Sequence, residues 1–321
     1  MSSPLPTVTI IIPAKPDLAE ILALQAGRGL DYPRELLEII LARGKHPSVQ
    51  RNTALRQARG DIVYFLDDDS CPPSDNLRRA AAHFADPAVK MAGGPNICPT
   101  EAPALEKIFA LVLASWLAFG PSRARYWPVG QTRASGEKEL ILCNLLARRA
   151  DLLELGGFNE ALYPNEENAL MDELQKRGGK LIYDPQLLVQ RRPRRTLKSF
   201  AKMLMTYGRG RAEQFRVNPT PGSALNFVPP LFCVYLAVVW PLFALLGKIA
   251  FVPLAFYLLA VILQTLALIP MGGVAKSLAA LPLIVLTHVC YGIGFWRGLF
   301  TKLKVGAART DVPVTIEKIS P

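Results

Sequence analysis

The stretch from residue 225 to 300 constrains this chain most. It holds three charged side chains, Lys248, Lys276 and Arg297, and divides into apolar runs at 225–247, 249–270 and 278–298. Each run is close to the roughly 20 residues that an α-helix needs to cross a bilayer. Three such runs in series are hard to bury in a small soluble domain, so about three transmembrane helices are expected over residues 223–300. Directly before them, residues 191–216 carry nine Lys/Arg and one Glu, a net +8 out of +11 for the whole chain. A basic cluster of this kind serves nucleic acid or an anionic membrane surface. The apolar run that follows favours the membrane, where each juxtamembrane cation contributes about 1 kcal/mol; no nucleic-acid partner is expected.

Residues 191–222 therefore read as a basic, amphipathic interfacial segment. By the Lys/Arg bias, the domain before it faces the cytoplasm. Three crossings would leave the tail, residues 301–321, on the opposite side. Lys302, Lys304 and Arg309 argue against that, and a re-entrant run would remove the conflict. The five cysteines are scattered with no C-x-x-C pair, which excludes a zinc site or a disulfide framework and fits reduced thiols in the cytoplasm.

Residues 1–190 have a different texture. "TVTIIIPA" (7–14), "LLEIILA" (36–42), "DIVYFLDD" (61–68) and "VKMAGGP" (89–95) read as strands. Between them, residues 17–29, 48–60 and 74–86 have helical spacing, with Ser48 and Ser74 as candidate N-caps. Strands alternating with helices imply an α/β domain with a mostly parallel sheet. Ligands in such sheets bind at the carboxyl ends of the strands. Asp67, Asp68 and Asp69 fall at such an end. Three adjacent carboxylates repel one another, and a hard divalent cation such as Mg²⁺ or Mn²⁺ would relieve them. On residue types alone, a solvated turn explains "DDDSCPP" equally well.

Four segments decide between these readings by resemblance. "VTIIIPA" at 8–14, "QRNTALRQARGDIVYFLDDDS" at 50–70, "CNLLARRADLLELGGFNE" at 143–160 and "PNEENALMDELQKRGGKLIYDP" at 164–185 resemble, in order, the motifs of family 2 inverting glycosyltransferases of the GT-A fold. The basic segment and the final "HVCYGIGFWRG" resemble, more loosely, membrane-bound exopolysaccharide glucosyltransferases of the succinoglycan type. The resemblance implies a Rossmann-like GT-A domain followed by transmembrane helices in the inner, cytoplasmic membrane. It implies a nucleotide-sugar donor and a lipid-linked, polyprenyl-type acceptor in envelope or exopolysaccharide synthesis.

The same resemblance assigns residues. Asp67 and Asp69 fall on the D-x-D pair, with Asp69 as ligand of Mg²⁺ or Mn²⁺. Pro13, Ala14, Lys15, Arg51, Asn52, Asp67 and Asp68 would line the donor side. Asn144, Gly157, Phe158 and Arg192 would line the acceptor side. Glu166 and Glu167 would be the catalytic pair, Glu167 as the base; as residue types they also suit a helix N-terminus, which favours negative charge.

The chain also departs from the family. Where an acidic segment should follow the second strand, "ARGKHPS" supplies Arg43, Lys45 and His46, and Asp17 is the nearest substitute for the missing acid. "QRRPRR" lacks the Q-x-x-R-W of processive synthases, so addition of single sugars is expected. Two alternatives remain at this stage: a nucleotidyltransferase, which would want a Gly-rich N-terminal loop, and a non-catalytic membrane scaffold.

Overall fold

A computed structural model of the chain describes residues 5–160, 165–217, 219, 221–302 and 313–321. In chain order the elements are β1 (Val8–Ala14), α1 (Leu22–Arg28), β2 (Leu37–Arg43), α2 (Pro47–Gln57), β3 (Ile62–Leu66), α3 (Asn76–His83), β4 (Val89–Gly93) and β5 (Asn96–Ile97). Then come α4 (Ala104–Ala114), α5 (Trp116–Phe119), β6 (Arg133–Ser135), β7 (Asn144–Arg148), α6 (Arg149–Glu154), α7 (Glu166–Lys176), β8 (Lys180–Tyr183) and β9 (Val189–Gln190). Four long helices follow, α8 (Leu197–Val217), α9 (Val228–Leu246), α10 (Val252–Gly272) and α11 (Val274–Phe300), and the chain ends in β10 (Thr315–Ile319).

These elements separate into two units. One contains the residues up to Pro99, Ala124–Arg191 and the C-terminal strand; the other contains Thr100–Arg123 and the helices from Arg192 onward. A boundary at residue 190 was expected, but Thr100–Arg123 goes with the apolar helices. The reason is visible in α4, whose Phe109 stacks on Phe200 of α8 at 4.3 Å between ring centroids.

The first unit is built on an eight-stranded mixed sheet in the order β10-β2-β1-β3-β7-β4-β8-β6. β2, β1 and β3 are parallel; β7 runs antiparallel between β3 and β4. β1 is buried throughout, and its β-branched side chains alternate between two cores: Ile10 and Ile12 enter one, Ile11 the other. That period of two is the geometry of a strand covered on both faces.

Several local expectations change. The helix expected over 17–29 starts at Leu22. The Arg43 guanidinium donates to the carbonyls of Lys15, Pro16 and Leu18 at 3.3, 3.3 and 2.9 Å, holding that loop outside a helix. Ser48 does not cap α2, which begins at Pro47 with no side-chain cap. Ser74 is likewise outside the cap, because α3 begins at Asn76.

The largest correction concerns the tail. Instead of standing apart, β10 pairs antiparallel with β2 and forms an edge of the sheet. Glu317 pairs with Arg43 at 2.6 Å, and Lys318 with Glu38 at 3.0 Å. Of the tail cations invoked above, Lys304 and Arg309 lie outside the described residues.

In the second unit, Ala224–Gly272 and Val274–Phe300 are long and apolar enough to cross a membrane. The first stretch turns back on itself at Gly247, which has φ +61°. Phe232 and Tyr257 would be about 37 Å apart along a straight helix of 25 residues, yet their ring centroids lie 4.3 Å apart. α9 and α10 are therefore a hairpin, and its turn exposes Trp240, Leu245 and Ile249. α4 and the helical stretch Trp116–Arg125 form a further apolar pair, bent by 63°. α8 packs along α11 so closely that a Cβ at Gly208, Gly294 or Gly298 would meet the facing backbone, the small-residue contact common between membrane helices.

Deleting residues 313–321 should bare the β2 edge and release Arg43. Hydrogen exchange of the outward amides of Ile39–Arg43 should then speed by at least about tenfold, against little change in β7, since opening costs follow local pairing. Equal protection in both proteins would show that β10 adds nothing to the sheet.

Candidate active site

The site is organised by charge at the carboxyl end of β3. Five apolar residues, Ile62–Leu66, are buried, and the chain then turns through Asp67–Asp69, with the Ser70 amide donating to the Asp67 carbonyl at 3.0 Å. Three carboxylates emerge at one point because the strand ends there. Two guanidinium groups hold Asp67 and Asp69. Arg51, on α2, donates to Asp67 Oδ1 at 2.7 Å. Arg191 bridges Asp69 Oδ1 at 2.5 Å and Asp67 Oδ2 at 3.1 Å.

Arg51 also links the aspartates to the first turn of α7. Its guanidinium lies 3.5 Å from Glu166 Oε1, which accepts from the Ser48 hydroxyl at 3.0 Å. Glu166 and Glu167 are both buried. Burial, and next the charge of Glu167, push Glu166 up to about 7, against the pull of Arg51. Glu166 Oε2 and Arg51 Nε have no hydrogen-bond partner among the described residues. Asp68 is also raised, by burial first and then by Asp69 and Asp67, while Arg191 and Lys15 oppose the shift.

β1 and β2 form the neighbouring wall. The Gln50 amide donates to the carbonyls of Ala14 and Ala42 at 2.8 and 2.5 Å. It ties the two parallel strands together where they end. Pro13 and Ala14 are buried there, and Lys15 is exposed beyond them. Asp17, also exposed, belongs to the loop that Arg43 holds from its far side.

Other expected site residues are used for support. Asn144 was expected on the acceptor side, but it is wholly buried. Its amide donates to Leu187 and Gly94 carbonyls, and its oxygen accepts from Tyr64. Asn52 was expected on the donor side. Its amide group instead clamps the "GGFNE" turn, accepting from the Phe158 amide at 2.8 Å and donating to the Phe158 carbonyl and Glu160 at 2.9 Å each. Gly157 has φ +82°, with Asn52 Oδ1 where a Cβ would stand, so the turn requires glycine. Phe158 points inward and meets Phe65 edge-on at 5.1 Å. Arg192 belongs to the second unit, where it grips the buried Glu106 of α4 with two hydrogen bonds, 2.5 and 2.7 Å.

Sequence reasoning missed Gln50, Ser48 and Arg191 as parts of this cluster. Gln50 and Ser48 lie beside the Arg51–Asn52 pair and were readable only as a helix surface and a cap. Arg191 was absorbed into the basic segment.

The class defined by this sheet and its acidic strand end is a GT-A-like fold. Residues 28–108, which carry β2, α2, β3 and the three aspartates, match the family model Glycosyl transferase family 2. Two curated relatives, each a "Pre-mycofactocin glycosyltransferase", come from Mycobacterium tuberculosis strains CDC 1551 / Oshkosh and ATCC 25618 / H37Rv. Each is 29% identical over 164 residues, covering 51% of this chain and 34% of the relative; the chain thus matches about a third of their length. Among solved structures, the chain is similar to "Mannosyltransferase PcManGT from Pyrobaculum calidifontis in complex with GDP-Man and Mn2+". The TM-score is 0.56 at 20% identity, covering 93% of this chain and 88% of that one. That likeness establishes the fold.

The elevated Glu166 has a measurable consequence. Between its ordinary value of 4.5 and about 7, the folded protein keeps a proton that the unfolded chain releases. Stability therefore falls as pH rises through that window, by on the order of 2 kcal/mol. Glu166→Gln should flatten this slope of Tm against pH. An unchanged slope would place the titration elsewhere.

Proposed function

We propose that this protein is a membrane-associated, inverting glycosyltransferase. It moves one sugar from a nucleotide-sugar donor to a hydroxyl or phosphate of a lipid-linked acceptor. The observation that carries this reading is the convergence of the β3 aspartates and the α7 glutamates through Arg51, in a chain with a family 2 domain. A divalent cation fits the donor set. The carboxylates of Asp67 and Asp69 already converge on one cationic group, the Arg191 guanidinium. Among the described residues, no three His, Cys, Asp or Glu side chains form a metal cluster. Two carboxylates completed by substrate phosphate oxygens are a usual set for Mg²⁺. Asp69 and Asp67 would hold such an ion, which supplies charge neutralisation at the diphosphate as it departs.

The remaining chemistry belongs to the chain. Glu166 binds Ser48 and Arg51, and we assign the base to Glu167, the position the family resemblance gives it. Its carboxylate takes the proton of the acceptor hydroxyl as that oxygen bonds to the sugar's anomeric carbon. The bond from that carbon to the diphosphate breaks, and the nucleoside diphosphate leaves with the electron pair. Single-displacement inversion needs a base opposite the leaving group. Arg51 couples the two halves by holding Asp67 and Glu166 together. The buried Gln50–Ala14–Ala42 link fixes the strand ends that line the donor side.

Two observations support the membrane arrangement that we assign. β10 lies in the same sheet as β1–β3, which supports an even number of crossings by the segment between. The α9–α10 hairpin, with its exposed apolar turn, is the part we assign to the bilayer. α11 lies beside basic α8 at the cytoplasmic face, where a lipid-linked acceptor is presented.

Detergent-solubilised protein, given Mn²⁺ and UDP-, GDP- or dTDP-sugars, should release a nucleoside diphosphate. Asp69→Asn and Glu167→Gln should each lower turnover by at least about 10²-fold with protein level unchanged. Full activity in both variants would place the catalytic site elsewhere, and no turnover by the wild type with any donor would leave the scaffold reading standing. In sealed vesicles, tags at the two termini should share one accessibility; opposite accessibility would refute the even crossing.

A further inference from the structure

The most informative residue outside the expected site is Arg191. Its backbone is fastened to the turn that carries the aspartates. Gln190 and Cys71 exchange two backbone hydrogen bonds of 2.9 Å, and the Arg191 amide donates to the Ile97 carbonyl at 3.0 Å. Cys71 lies two residues after Asp69. The guanidinium is therefore delivered to Asp69 and Asp67 by a strand bonded to their own loop. It occupies the position between the two carboxylates that a divalent cation would need, and its side chain is a quarter exposed.

We propose that Arg191 is an internal counter-cation that competes with the divalent ion for Asp67 and Asp69. The displaced guanidinium turns to the donor diphosphate. The inference rests on the metal–diphosphate reading given above. Its logic is charge balance. A bare cation entering the site must take Asp69 Oδ1 and Asp67 Oδ2 from Arg191. That leaves a guanidinium without an anionic partner beside a new positive charge. A nucleoside diphosphate supplies the missing anion, and guanidinium groups bind phosphate oxygens in a forked geometry. Metal and nucleotide then each raise the affinity for the other, since coupling between two ligands is reciprocal. Because the backbone at Arg191 is pinned, only the side chain has to move.

The test is Mn²⁺ binding by the full-length, detergent-solubilised protein, read from the paramagnetic resonance signal of free Mn²⁺, with and without UDP or GDP. The wild type should bind Mn²⁺ about tenfold more weakly alone than with nucleoside diphosphate. Arg191→Gln should bind Mn²⁺ alone about tenfold more tightly than the wild type, and nucleotide should add little. Arg191→Lys keeps the charge but reaches one carboxylate at a time, so it should fall between them and serves if the Gln variant does not fold. Asp69→Asn should lose binding in every condition. Equal Mn²⁺ affinity of wild type, Arg191→Gln and Arg191→Lys would overturn the competition while leaving the metal site intact. Absence of Mn²⁺ binding by the wild type, with or without nucleotide, would overturn the metal–diphosphate reading as well.

Discussion

Three carboxylates at the end of a buried strand are unstable unless something cationic meets them, and the rest of the first unit follows from that requirement. Arg51 reaches Asp67 from α2, and Arg191 reaches Asp67 and Asp69 from the strand end after β9. Arg51 is buried, so losing its partner would leave its charge uncompensated; the Arg191 pairs are partly exposed and weakened by solvent screening. The two arginines tie α2 and residues 189–191 to the end of β3. Arg51 extends the network to Glu166, so the first turn of α7 is set by the same charge balance.

A second set of polar contacts serves geometry alone. Gln50 joins the ends of β1 and β2, Asn144 joins β7 to the backbone at Gly94 and Leu187, and Asn52 holds the glycine turn before Phe158. Each is a buried amide with its hydrogen bonds satisfied, which is the condition for a polar side chain to stabilise a core. The tail adds a third constraint, since Glu317 and Arg43 hold the loop after β1.

Much of this was readable in the sequence, for physical reasons. β1, β2 and β3 announce themselves as short apolar β-branched runs, and Asp67–Asp69 lie just beyond one of them, so the strand end predicts the cluster. The apolar helices are legible by length. What escaped is what depends on distant partners. Arg43 and Glu317 are 274 positions apart, and nothing local marks residues 315–319 as an edge strand. Asn52 and Asn144 look like ligand-facing amides, yet their roles are decided by backbone carbonyls from other segments. Arg191 sits at the head of a basic run, and charge counting assigned it to the membrane, when its neighbours in space are aspartates.

The account's central claim is that Asp67 and Asp69 hold the metal–diphosphate end of a nucleotide-sugar donor, with Arg191 giving way to it. A structure of the protein determined with Mn²⁺ and a nucleoside diphosphate tests this most directly. The account predicts anomalous Mn²⁺ density between Asp67 and Asp69, diphosphate oxygens completing its coordination, and the Arg191 guanidinium turned onto a phosphate. Metal and nucleotide bound away from β3, with Arg191 still bridging the two aspartates, would contradict it.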